Sequence, residues 1–100
     1  MAWTVFAVPS SKRTDLDAVL KDDLVSRQSE TVREASAMGG PSDQVYVLIE
    51  GAAAAIARAD ELLGPLGTHL TGSEAETIYR RFKDEQEAAS AGMGLFFTEG

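Results

Sequence analysis

Two short segments of this chain are apolar on both faces of the strand each would form, and that limits the folds open to it. Trp3-Thr4-Val5-Phe6-Ala7-Val8 is β-branched and aromatic and stops at Pro9-Ser10-Ser11. Side chains alternate along a strand, so Trp3, Val5 and Ala7 share one face and Thr4, Phe6 and Val8 the other. Val45-Tyr46-Val47-Leu48-Ile49 divides in the same way, with Val45, Val47 and Ile49 opposite Tyr46 and Leu48. A strand that is apolar on both sides belongs in the middle of a sheet, with cover above and below. The segments near 32–37 and 67–71 are shorter and mixed with polar residues, as edge strands are.

Between these strands the pattern changes to helical spacing. Thr14-Asp15-Leu16-Asp17 starts a helix, and Leu16, Val19, Leu20 and Leu24 continue it, predicting a helix over 14–25. Gly39-Gly40-Pro41-Ser42-Asp43 is a turn cluster, so a hairpin is expected to join 31–37 to 44–50. Gly51 opens a helix from Ala52 to Leu63, with Ile56, Ala59, Leu62 and Leu63 on its packing side and Gly64-Pro65 at its end. The run of small residues Ala52–Ala55 reads as core packing against the sheet. Leu66–Thr71 is a fourth strand, and Ser73-Glu74-Ala75-Glu76 is a capping box that starts a last helix over 73–91. Ala75, Ile78, Tyr79, Phe82 and Ala89 form its apolar stripe. Glu76 with Arg80 and Arg81 with Glu85 are expected as i,i+4 pairs worth about 0.3 kcal/mol each.

The element order is strand, helix, strand, strand, helix, strand, helix. Its first six elements are the split βαβ arrangement, and in this order the chain resembles ferredoxin-like modules. The expected fold is α+β: a βαββαβ sandwich with an antiparallel sheet in the order 4-1-3-2 and an additional C-terminal helix. A chain of 100 residues holds one core. The domain is therefore read as residues 1–91, with 92–100 an apolar C-terminal tail.

The two helices of such a sandwich cover one sheet face and leave the other bare. Exposing three or four large apolar side chains there would forgo about 1.5–3 kcal/mol each. The final helix must fold back over that face, or a second subunit must pack on it. Met93, Leu95, Phe96 and Phe97 close the chain and are the candidate interface residues.

Candidate chemistry is sparse. With no cysteine there are no disulfides, thiolate metal sites or cysteine nucleophiles. A net charge of −7 disfavours phosphate backbones and anionic lipid, so neither nucleic acid nor membrane is an expected partner. The opening Met1–Phe6 carries no basic region of the kind a secretory signal has, and a cytoplasmic address is expected. His69, the one histidine, is a candidate acid/base or ligand contact, with no second histidine to share a metal. Tyr79 and Arg80 are the other candidate ligand-binding residues: the adjacent pair Arg80 and Arg81, next to Tyr79, can hold a carboxylate or phosphate, the alternative being that these arginines pair with Glu76, Asp84 or Glu85 one turn away. Gly51 leaves backbone N–H groups open to an anion at a strand-to-helix junction. Neither glycine cluster fits a phosphate-loop pattern, and no cofactor or metal is expected.

The expected function is a non-enzymatic cytoplasmic module that self-associates, with a small-ligand site at a subunit interface. The alternative is a small dimeric α+β-barrel-type enzyme using His69 as acid/base in an apolar pocket. An enzyme of that kind needs a cavity on the order of some hundreds of Å³ between sheet and cover. An interaction module fills that space with Phe82, Phe96 or Phe97. A third reading, RNA stacked on Phe6 and Tyr46, is opposed by the acidic balance.

Overall fold

In the computed structural model, which describes the backbone of residues 2–99 and the side chains of residues 2–87, four antiparallel strands form one open sheet flanked by three helices. The strands are β1 (Ala2–Pro9), β2 (Ser29–Glu34), β3 (Gln44–Gly51) and β4 (Thr68–His69), and the helices are α1 (Arg13–Leu20), α2 (Ala53–Leu63) and α3 (Gly72–Glu99). The class is α+β. The sheet order is β2-β3-β1-β4, which from the opposite edge reads 4-1-3-2. The doubly apolar strands are the two central ones, paired from Ala2↔Gly51 to Pro9↔Gln44.

One face of the sheet is covered by α1 and α2. Phe6, Val8, Val45, Val47 and Ile49 pack there against Leu16, Val25, Ile56, Ala59 and Leu63. The other face is covered by this chain's own α3, whose Ala75, Ile78 and Phe82 pack on Val5, Ala7, Tyr46 and Leu48. Phe82 is buried to 1% exposure. Phe6 and Tyr46 are also buried, so the RNA-stacking surface read from the sequence does not exist.

Several boundaries differ from expectation. The first helix ends at Leu20 rather than 25 because the Asp22 carboxylate accepts the backbone N–H groups of Leu24 and Val25. That turn buries Val25 and leaves Leu24 exposed. Strand β2 is two residues earlier than 31–37 and stops at Glu34, because Ala35–Met38 winds into a 3-10 turn that buries Ala35 and Met38. Gly39 ends it at φ 79°, a left-handed conformation that glycine adopts without strain. Strand β4 shrinks from the expected Leu66–Thr71 to two residues. In α2 only Ala55 of the alanine run is buried, and Ala52–Ala54 face solvent.

Helix α3 starts at Gly72, φ 60°, one residue before the proposed capping box, and its first bond runs from the Ala75 N–H to the Thr71 carbonyl. It continues to Glu99 rather than stopping near residue 91, so the backbone of 92–99 is helix and not a tail. The interface candidates Met93, Leu95, Phe96 and Phe97 have side chains outside the described residues. Neither i,i+4 pair expected on α3 forms: Glu76 and Arg80 make no ion pair among the described residues, and Arg81 and Glu85 turn to more distant partners. Glu85 pairs with Arg33 of β2 at 2.5 Å, and Arg81 donates to the Met38 carbonyl.

Candidate functional site

Two open clefts adjoin where β1 begins and α3 starts. One, of about 330 Å³, is lined by residues including Trp3, Thr4, His69, Gly72 and Glu76. The other, of about 360 Å³, is lined by Trp3, Glu76, Tyr79, Arg80 and Lys83. Trp3 and Glu76 belong to both, so the two form one groove. His69 borders the first cleft and Tyr79 with Arg80 the second, but the His69 ring stacks on Phe6 on the α2 face of the sheet, whereas Trp3 and Tyr79 lie on the α3 face. The space between sheet and α3 is different. Phe82, Ile78 and Ala75 fill it, and neither cleft is the enclosed barrel cavity that the enzyme reading requires.

His69 stands on β4 opposite Phe6, and the two rings stack at 4.7 Å and 11°. Behind it the Thr4 hydroxyl donates to Asp60 Oδ1 at 2.6 Å and lies 3.0 Å from His69 Nε2. A hydroxyl has one proton, and here the carboxylate takes it. The His69–Thr4 contact is therefore made by an Nε2–H donated to Thr4 Oγ1, which leaves Nδ1 with the lone pair in the neutral ring. The chain Asp60–Thr4–His69 thus sets the tautomer and leaves one ring nitrogen able to accept a proton or a hydrogen bond. His69 Nε2 is 3.9 Å from Asp60 Oδ1, so a protonated ring would also be paired.

On the α3 face of the sheet stands Glu50, the cross-strand partner of Trp3. Its side chain is 8% exposed, and a carboxylate that buried needs partners. It has two: Lys83 Nζ at 2.7 Å on Oε1 and the Tyr79 hydroxyl at 3.2 Å on Oε2. Tyr79 stacks on Trp3 with centroids 4.2 Å apart, and Lys83 lies 5.4 Å from the centre of the Tyr79 ring. Burial and the Glu50 charge push the Tyr79 hydroxyl above its ordinary pKa, and the hydrogen bond to Glu50 raises that of Lys83. Trp3 is thereby fixed as a rigid aromatic wall.

Thr4, Asp60 and Glu50 were not singled out as site residues from sequence, although each carries a signal. Thr4 is the one hydroxyl on a β1 face otherwise made of Phe6 and Val8. Asp60 lies between Ala59 and Leu63 on the packing side of α2, and Glu50 continues the Tyr46–Leu48 face of β3. A polar group placed on a buried face needs a partner, and these three have them. At the strand-to-helix junction after Gly51, read as open to an anion, the Ala52 N–H is taken by Gln28 Oε1 at 3.1 Å. No group of three or more His, Cys, Asp or Glu able to hold a metal occurs among the described residues. No helix among them is long and apolar enough to cross a membrane. The chain matches no protein family, no curated protein and no solved structure.

Proposed function

We propose that this chain is a non-enzymatic cytoplasmic module of ferredoxin-like architecture that self-associates and binds a small ligand in the groove around Trp3. The observation that carries the reading is the junction of the two clefts at Trp3 and Glu76, which brings Tyr79 and Arg80 beside the Trp3 ring on the α3 face of the sheet. Its volume is in the range of small-ligand sites, roughly 300–1,000 Å³. The sheet order and the βαββαβ succession support the ferredoxin-like assignment. The cysteine-free sequence supports the cytoplasmic one.

Because α3 covers its own sheet, self-association cannot use that face as a bare surface. Helix α3 has 28 residues, about 42 Å at 1.5 Å per residue, against about 26 Å for an eight-residue strand. Its last buried residue among those described is Phe82. The apolar residues Met93, Leu95, Phe96 and Phe97 lie beyond that point in sequence, which supports contact between copies through the C-terminal half of α3.

Light scattering after size exclusion at two protein concentrations tests the association. A dimer or larger species that Phe96→Glu with Phe97→Glu converts to monomer is expected, and a monomer of the unaltered chain at both concentrations overturns it. Ligand binding is tested by a small-molecule screen read by the fluorescence of Trp3, the one tryptophan. Saturable changes lost in Tyr79→Ala are expected. A second reading, an acid/base role for His69, is favoured by the Thr4–Asp60 chain that orients its ring. It predicts turnover lost in His69→Gln.

A further inference from the structure

We propose that the groove is built for a small zwitterion with an aromatic or apolar body, a molecule carrying one carboxylate and one ammonium group, as a free aromatic α-amino acid does. The proposal rests on the ligand-binding reading above and adds the ligand's chemical class. Three charged side chains line the cleft beside Tyr79, namely Glu76, Arg80 and Lys83. Lys83 is neutralised by Glu50 at 2.7 Å. Glu76 and Arg80 are one helical turn apart, the spacing at which such residues ordinarily bridge. Yet neither enters an ion pair within 4.0 Å among the described residues.

Among the described residues the groove therefore presents one uncommitted cation and one uncommitted anion from the same face of α3, next to the Trp3–Tyr79 stack. A simple anion would meet Arg80 but face the Glu76 carboxylate, and a simple cation the reverse. A ligand with both charges satisfies both, its carboxylate on the Arg80 guanidinium and its ammonium on Glu76, with its apolar part against Trp3. Charge-assisted contacts of this kind discriminate because deleting one ligand group leaves its partner without a counterpart.

The probes are L-phenylalanine, 3-phenylpropionate, which lacks the amine, and phenethylamine, which lacks the carboxylate. None contains indole, so each can be titrated against Trp3 fluorescence and against the single indole N–H resonance. L-Phenylalanine is expected to bind saturably and about tenfold or more tighter than either truncated compound. Arg80→Gln is expected to abolish its advantage over phenethylamine, and Glu76→Gln its advantage over 3-phenylpropionate. Both side chains are exposed, so the variants keep the fold.

Equal affinity for all three probes, or unchanged selectivity in both variants, overturns the zwitterion assignment while leaving a groove that binds ligands. No response of Trp3 to these probes, alongside saturable hits in the general screen, likewise overturns the class alone. Silence in both experiments overturns the class and the ligand-binding reading together.

Discussion

The Lys83 ammonium reaches from α3 to within 2.7 Å of Glu50 Oε1 on β3 and pairs with a carboxylate that is 8% exposed beneath the helix. Removing one member of such a pair costs more than the pair contributes, because the other charge stays buried. Lys83→Met is therefore expected to lose about 1–3 kcal/mol of unfolding free energy, a range tempered by the partial exposure of the lysine. Adding Glu50→Gln should return much of that loss, because a neutral amide can still accept from Tyr79. Urea titration of the two single variants and the double variant measures the coupling, and strictly additive losses would show that the pair does not latch α3.

The same contact sets an alkaline limit. Tyr79 and Lys83 both titrate above their ordinary values of 10.0 and 10.5, the first through burial and the second through its bond to Glu50. Protonated forms are thus favoured in the folded state. Their stabilisation is complete below the ordinary values and is lost as pH rises through the folded ones. Melting temperature should fall more steeply above pH 10 in the unaltered chain than in Tyr79→Phe with Lys83→Met. Parallel curves would contradict the assignment.

Glu30 behaves in the opposite way from a paired acid. Its Oε2 is buried without a hydrogen-bond partner among the described residues, and burial raises its pKa above the ordinary 4.5. The folded state binds the Glu30 proton more tightly than the unfolded one. Its contribution is full below pH 4.5 and disappears as pH rises through the raised value. Glu30→Gln removes that penalty and is expected to stabilise the chain at pH 7 by about 1 kcal/mol, with the gain vanishing at pH 4. Equal gains at both pH values would rule out a charge origin.

The strands that the sequence defines best are those where both faces are apolar, because their pattern needs no partner to be read. Val5, Phe6, Val47 and Leu48 place β1 and β3 at the centre of the sheet, and the structure has them there. Local pattern failed where a single side chain redirects the backbone. Leu24 continues the helical spacing of Leu16 and Leu20, but the Asp22 carboxylate closes a turn first. Likewise, Arg81 and Glu85 satisfy an i,i+4 rule and yet bond to Met38 and Arg33, residues more than 40 positions away. The groove was half legible. His69, Tyr79 and Arg80 stand out by residue type, whereas Glu50 and Asp60 acquire meaning only once α3 and β4 bring their partners to them.

The Asp60–Thr4–His69 chain yields a prediction about a proton rather than about stability. Thr4 donates to Asp60 because a carboxylate is the stronger acceptor, and this obliges His69 to donate from Nε2. In Asp60→Ala the hydroxyl is released to turn its proton toward the ring, and the favoured neutral tautomer becomes the one protonated at Nδ1. In Asp60→Asn the amide oxygen still accepts from Thr4, and the Nε2–H form is expected to persist. Thr4→Val removes the intermediary and should leave a mixture of both tautomers, together with a loss of about 1 kcal/mol from a buried site with 3% exposure. The ring ¹⁵N shifts at a pH where the imidazole is neutral distinguish these three outcomes. An Nδ1–H ring in the unaltered chain, or no change in Asp60→Ala, would mean that Thr4 does not direct the tautomer.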